Sequence, residues 1–104
     1  MSVSLKTEPI SLFSQVVAGS DQVAAQLDRE VVILGFQSGS YYGLDEVGAA
    51  VWEMMQEPRI VSDICNAILE EYDVAREDCE RDLLELLTDL ASKQLIEVEN
   101  YPNL

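Results

Sequence analysis

The chain has 104 residues, the length of a single domain, and 48% of them are apolar, enough for one modest core. Twenty acidic residues against six basic ones give a formal charge of −14, which repels nucleic-acid phosphates and attracts cationic partners. Histidine is absent, and no glycine-rich phosphate loop or close cysteine spacing occurs, so we expect no catalytic residues, no metal site and no cofactor. No apolar run approaches the roughly 20 residues that span a bilayer, and the N-terminus lacks a secretion-signal pattern, which predicts a cytoplasmic protein without membrane contact.

The N-terminal half of the chain is typical of β structure. Residues 1–20 are weakly patterned and are expected to form a partly ordered N-terminal arm, with the domain proper over 21–99 and a tail over 100–104. Three strand-like segments follow at Gln22–Asp28, Val31–Phe36 and Ser40–Leu44. The second is apolar throughout, as expected for a strand covered on both faces, and Gly39 suits a turn with positive φ. Together they predict an antiparallel three-stranded sheet.

The C-terminal half changes to a helical period. Asp45 suits the N-cap of a first helix, which ends before Pro58. A regular apolar stripe from Val61 to Tyr72 predicts the second helix, and the third runs from about Arg76 to Lys93. A short apolar–acidic alternation over 96–99 indicates a last strand. The fold class is therefore α+β, with three strands followed by a three-helix bundle.

The third predicted helix carries two adjacent stripes. Spacing by three and four residues aligns four carboxylates (Asp78, Asp82, Glu85 and Asp89) beside four apolar side chains (Cys79, Leu83, Leu86 and Leu90). In one interpretation the whole apolar arc is core and the carboxylates are its solvated border. In the other, the apolar stripe is a wall of a groove whose occupant brings Lys or Arg to the acidic stripe. The pattern leaves both open.

The Ser40–Leu44 segment is uncharged and free of proline, which favours pairing along an open sheet edge. An uncharged edge beside a wide apolar helix is a plausible peptide groove. Tyr41 and Tyr42 are either contacts in it or ordinary sheet residues. Cys65 and Cys79 are interpreted as small buried apolar residues.

Several runs of the sequence resemble the PqqD-like family, named for a protein of pyrroloquinoline quinone biosynthesis. They are Leu27–Val32, Ser38–Asp45, Val47–Glu53 and Glu70–Val74. The resemblance covers about residues 16–98, and its most specific part is the turn, strand and helix from Ser38 to Trp52.

The resemblance implies a winged-helix-like arrangement that binds the leader segment of a ribosomally made precursor peptide, as a strand added between the third strand and third helix. The implied peptide-binding residues are Ser40, Tyr41, Tyr42, Gly43, Leu44, Asp78, Cys79, Asp82, Leu83, Glu85 and Leu86. The stand-alone members of lasso-peptide pathways are most similar, which implies a leader peptidase and a macrolactam-forming cyclase as further partners. On this hypothesis Leu83→Asp abolishes binding and leaves the fold intact.

Two departures from the family pattern concern helix ends. Ile60 stands where Ser or Thr is expected, which predicts a second helix that begins late, at Ser62. Gln94 replaces a glycine expected after the third helix. The main alternative function is a non-catalytic adaptor or regulator of winged-helix type that binds a protein through the same groove. A DNA-binding winged helix is disfavoured because its recognition helix would turn carboxylates towards phosphates.

Overall fold

The computed structural model describes residues 9–100, so the parts of the expected arm and tail at 1–8 and 101–104 lie outside the described residues. The elements in chain order are β1 (Gln15–Ala18), β2 (Gln22–Leu27), β3 (Glu30–Gly35), β4 (Tyr41–Leu44), α1 (Glu46–Met54), β5 (Arg59–Ile60), α2 (Val61–Glu71), α3 (Arg76–Ser92) and β6 (Ile96–Glu99). The predicted α+β class, the antiparallel sheet and the three helices are confirmed. The winged-helix arrangement stays a prediction.

The predicted sheet consists of β2, β3 and β4, with β3 in the centre. Asp28 and Gly39 have φ angles of 63° and 67° and lie in the turns that join the strands, as predicted for Gly39. Val31 and Ile33 are buried on one face, whereas Leu34 is 42% exposed on the other. The prediction that this strand is covered on both faces is therefore wrong, because the core lies against one face only.

A second antiparallel sheet has the order β5–β1–β6, and of its strands only β6 was predicted. The central strand, β1, falls within the segment expected to be an arm, and its Val16 side chain is fully buried. The Ala18 N–H donates to the Met55 carbonyl at 2.7 Å, and the Gly19 N–H donates to the Leu95 carbonyl at 2.9 Å. These bonds fix the ends of α1 and α3 against β1.

The helix termini are satisfied in different ways. The Asp45 side chain caps α1 by accepting from the Gly48 N–H at 2.9 Å, which confirms the predicted cap. No side chain caps α2, which begins at Val61 and not at Ser62 as predicted. The reason lies in the N-terminal segment: Val61 and Ser62 donate their N–H groups to the carbonyls of residues 14 and 12, both at 2.9 Å. Backbone acceptors thus replace the missing Ser or Thr.

The two sheets and three helices enclose one core. Its buried apolar residues are Val16, Val31, Ile33, Leu44, Val51, Trp52, Met55, Val61, Ile64, Cys65, Ile68, Cys79, Leu83, Leu87, Leu90, Leu95 and Ile96. Over residues 9–100, no helix has the length and apolar character that crossing a membrane requires.

Candidate functional site

A cleft of about 790 Å³ opens between β4 and the first half of α3, and we call it the β4–α3 groove. The start of α1, the second half of α2 and the α2–α3 connection complete its walls. The lining residues are Tyr42, Gly43, Leu44, Asp45, Val47, Gly48, Val51, Ile68, Asp73, Val74, Ala75, Asp78, Cys79, Arg81, Asp82, Leu83 and Leu86.

The groove brings together eight of the eleven residues proposed from the sequence: Tyr42, Gly43, Leu44, Asp78, Cys79, Asp82, Leu83 and Leu86. The other three do not line it. Ser40 immediately precedes β4, Tyr41 is 72% exposed, and Glu85 borders a shallower depression with Arg81.

The edge of β4 that faces away from β3 is unpaired within residues 9–100. At the start of the β3–β4 pair, the Gly35 N–H donates to the Ser40 carbonyl at 2.8 Å. Because hydrogen-bonded and non-bonded pairs alternate along an antiparallel ladder, the backbone groups of Tyr41 and Gly43 point to the free edge. Tyr41 therefore offers its backbone to an added strand, although its side chain lies outside the groove.

The floor of the groove is apolar and belongs to the core. Leu44, Val51, Ile68 and Leu83 are each at most 5% exposed, whereas Leu86 is only partly buried. Both interpretations of the apolar stripe on α3 therefore hold in part. Cys79, Leu83 and Leu90 are buried in the core, and the residues that line the groove are Cys79, Leu83 and Leu86. The expectation that Leu83→Asp leaves the fold intact is wrong, because a carboxylate at this buried position would lose its hydration and destabilise the folded state.

The rim of the groove is acidic. Its lining includes four carboxylates (Asp45, Asp73, Asp78 and Asp82) and one cation, Arg81, a balance of −3. The Arg81 guanidinium lies 3.0 Å from Asp78 and 3.5 Å from Asp82, and the hydrogen bond to Asp78 raises the pKa of Arg81. The other two carboxylates have no cation in the lining, so the groove retains an excess of negative charge for a cationic occupant.

One hydrogen bond joins β4 to α3 directly. The Tyr42 hydroxyl donates to Oδ2 of Asp89 at 3.3 Å. Burial, then the charge of Asp89 and this hydrogen bond, raises the pKa of Tyr42. The bond therefore links a lining residue of the groove to the last carboxylate of the acidic stripe.

The two cysteines are buried, as predicted, and both are free thiols. They lie on α2 and α3, and the Cys65 thiol donates to Sγ of Cys79 at 3.4 Å. Burial, followed by the hydrogen bond with Cys65 and its charge, raises the pKa of Cys79 to about 11. Almost no thiolate is therefore present at neutral pH, which makes Cys79 a poor nucleophile there.

Sequence reasoning missed the part of the lining contributed by α1, α2 and their connections. Val47 and Val74 are 38% and 44% exposed and place apolar side chains at the mouth of the groove. Gly48 lies against Leu44, whose side chain would be 3.1 Å from a Cβ added at this glycine. Val47 lies in the first turn of α1, and Val74 lies in the connection between α2 and α3. Nothing in the periodicity places these residues beside β4.

Residues 9–100 contain no group of three or more His, Cys, Asp or Glu side chains arranged to hold a metal ion.

Comparisons with known proteins identify a matching family and similar solved structures. The model of coenzyme PQQ synthesis protein D (PqqD) matches residues 30–96. Two solved structures are similar: TbiB1 in complex with the TbiA(beta) leader peptide, and a lasso peptide synthetase B1 complexed with the leader peptide. The first has 40% identity and a TM-score of 0.71, covering 84% of this chain and 99% of that one. The second has 27% identity and a TM-score of 0.69, covering 79% and 96%. No curated protein matches the sequence.

Proposed function

We propose, because the chain belongs to the PqqD family, that it binds the leader segment of a ribosomally made precursor peptide in the β4–α3 groove. We assign the precursor to the lasso-peptide class, because one of the two similar structures is a lasso peptide synthetase B1 complexed with the leader peptide. Binding takes place in the cytoplasm, where such a precursor is synthesised.

The observation that carries the proposal is the coincidence of a free strand edge with an apolar floor. The backbone groups of Tyr41 and Gly43 face the open edge of β4, and Leu44, Leu83 and Leu86 line the cleft beside it. A peptide strand added to β4 satisfies the edge, and alternate side chains enter the cleft. Main-chain hydrogen bonds then provide affinity, while the shape of the floor selects the buried side chains.

The acidic rim adds a preference for a cationic leader. With a balance of −3 in its lining, the groove favours a peptide that carries Lys or Arg beside its apolar anchors. Such charges at a rim chiefly affect the rate of association and its salt dependence. Ordering a flexible leader opposes binding, so most of the affinity rests on a few buried anchors.

We further propose that the chain breaks no bond itself and presents the leader to a leader peptidase and a cyclase. The chain has no histidine, and the raised pKa of Cys79 leaves that thiol protonated. Holding the precursor beside an enzyme raises its effective concentration without new chemistry.

Fluorescence anisotropy with a labelled leader peptide tests this function. The probes are the leader of a precursor encoded beside the gene of this chain and the TbiA(beta) leader, with scrambled versions as controls. We expect saturable binding of at least one leader and none of its scrambled control. Equal binding of scrambled and native peptides would count against leader recognition and favour the general adaptor.

N-methylated peptides test the added strand separately. If the leader pairs with β4, N-methylation at every second position of the pairing segment removes a hydrogen bond to Tyr41 or Gly43. We expect N-methylation to lower the affinity at every second residue of the pairing segment and to leave it unchanged at the residues between them. Uniform tolerance of N-methylation would show that the leader binds without adding a strand.

A further inference from the structure

The two cysteines of the chain meet beneath the groove. They are 14 positions apart and lie on different helices, yet their sulfur atoms are 3.4 Å apart, with Cys65 1% and Cys79 8% exposed. A disulfide has an S–S distance of about 2.05 Å, so the sulfurs need to approach by only about 1.4 Å. Closing this distance requires rotation of the two side chains, with a small shift of α3 towards α2.

The two thiols differ in their access to reagents. Cys79 lines the groove, whereas Cys65 does not and lies behind it. A small oxidant that enters the cleft therefore meets Cys79 first. Cys65 then lies in position to react with the modified Cys79.

We propose that Cys65 and Cys79 form a reversible intramolecular disulfide, and that this modification and leader binding oppose each other. The second half of the proposal rests on the proposed function, whereas the first half does not. Cys79 lies between Asp78 and Glu80 on α3, one turn before Asp82 and Leu83, so drawing it towards α2 changes the wall that the leader contacts. Conversely, a bound leader covers Cys79, and the two effects are equal by linkage.

Oxidised glutathione can serve as the oxidant that forms the disulfide. The Cys79 thiolate attacks one sulfur of the oxidant, which forms a mixed disulfide and releases one glutathione thiolate. The Cys65 thiolate then attacks the Cys79 sulfur and releases the second glutathione. The protein loses two protons and two electrons, and the oxidant gains them as two thiols.

The surroundings of Cys79 set the rate of this reaction. Burial, then Cys65 and Glu80, raise the pKa of the Cys79 thiol, and Arg76 lowers it by a smaller amount. Because the thiolate is the attacking species, the reaction is slow at neutral pH and accelerates as pH rises.

Intact mass and peptide mapping of the full chain, incubated with oxidised glutathione, test the disulfide. We expect loss of two hydrogen masses and a Cys65–Cys79 linked fragment. In Cys65→Ser the reaction should stop at a glutathione adduct on Cys79, and Cys79→Ser should remain unmodified over the same time. Two free thiols in the folded wild type, under conditions that oxidise the urea-unfolded chain, would overturn the proposal. So would a disulfide between two chains.

Anisotropy titrations of the oxidised and reduced protein with the same leader probe test the coupling. We expect affinity to fall about fivefold or more on oxidation and to return on reduction, a typical size for coupled sites. The double variant Cys65→Ser/Cys79→Ser should have the same affinity before and after treatment with the oxidant, because it has no thiol left to oxidise. Equal affinities of the two forms would overturn the coupling. Failure of the reduced protein to bind any leader would instead refute the proposed function, while the mass measurement still decides the disulfide.

Discussion

The Tyr42 hydroxyl lies 3.3 Å from Oδ2 of Asp89, and this contact spans from β4 to the second half of α3. The carboxylate both accepts the hydrogen bond and repels the phenolate form of the tyrosine. Burial contributes most to the raised pKa of Tyr42, and Asp89 adds to it. The pKa of Tyr42 therefore reports whether β4 and α3 remain in contact at this point.

Asp89→Asn should lower the pKa of Tyr42 towards its ordinary value of about 10, because asparagine can still accept the hydrogen bond but carries no charge. The pKa of Tyr42 is higher in the folded than in the unfolded protein. The protonated hydroxyl therefore stabilises the fold below about pH 10, and this contribution to stability is lost as pH rises through the folded-state pKa. Phenolate absorbance during a pH titration measures the change, with Tyr42→Phe identifying the signal. An unchanged titration in Asp89→Asn would mean that Asp89 does not approach Tyr42 in solution.

Leu86 and Leu84 offer a matched pair for separating binding from stability. Both are partly buried on α3, but Leu86 lines the β4–α3 groove, and Leu84 lines the shallower depression beside it. We expect Leu86→Ala to weaken leader binding at least tenfold, about 1.4 kcal/mol, and Leu84→Ala to leave it nearly unchanged. Each should cost less stability than Leu83→Ala, for which we expect about 2–5 kcal/mol. Urea unfolding and anisotropy provide the two readings, and equal binding losses would show that the peptide does not use the groove.

The acidic rim predicts a salt-dependent affinity. Asp78→Asn with Asp82→Asn reduces the lining balance from −3 to −1, since two of its four carboxylates become neutral. Glu57→Gln with Glu97→Gln is the control, because both pairs change the net charge from −14 to −12 and the control residues are exposed outside the groove. We expect the first pair alone to weaken binding of a cationic leader, by about 0.5–1 kcal/mol at low ionic strength and less at high salt. Identical salt slopes for both pairs would exclude local steering.

Features predicted correctly are those whose causes are local in the chain. The cap at Asp45 and the positive φ at Gly39 depend on a few neighbouring residues, and α3 follows from seventeen residues of regular period. The groove edge formed by β4 followed from its lack of charge. Each of these signals is complete within one segment.

Features missed depend on contacts between distant segments. β5 has only two residues, and β1 (Gln15–Ala18) shows no apolar–polar alternation, so each is defined by its pairing across the second sheet. The side of the groove built by Val47 and Val74 likewise depends on how the helices cross. The Tyr42–Asp89 contact joins residues 47 positions apart. Sequence patterns supply the surfaces but not their relative placement.

The segment before residue 21 should be essential for stability. Val16 is fully buried at the centre of the second sheet, and residues 12 and 14 supply the carbonyls that cap α2. The buried Ser14 hydroxyl also donates to Asn100. A chain that starts at residue 21 should have a much lower unfolding midpoint than one that starts at residue 9, since Val16 alone contributes about 1.5–3 kcal/mol. Equal midpoints in thermal unfolding would show that β1 adds nothing to the core.

Gln94 is the second departure from the family pattern, and it adopts the left-handed conformation itself, with a φ of 62°. The Gln94 N–H donates to Ala91, and the Leu95 N–H donates to Leu90, both at 3.0 Å, which closes α3 with a Schellman motif. Leu90 and Leu95 are fully buried, so the apolar contact that accompanies this motif is present. Gln94 therefore adopts the backbone conformation that glycine usually provides at this cap, although positive φ is strained for a residue with a Cβ atom.

Gln94→Gly should accordingly stabilise the protein by about 0.5–1 kcal/mol, because glycine adopts positive φ without a Cβ clash. Lys93→Gly is the matched control: its φ is −95°, so glycine there relieves no strain and adds freedom to the unfolded chain. We expect that variant to be less stable than the wild type. Urea unfolding of the three proteins measures both differences, and a loss of stability in Gln94→Gly would mean that the Gln94 side chain contributes more than its backbone strain costs.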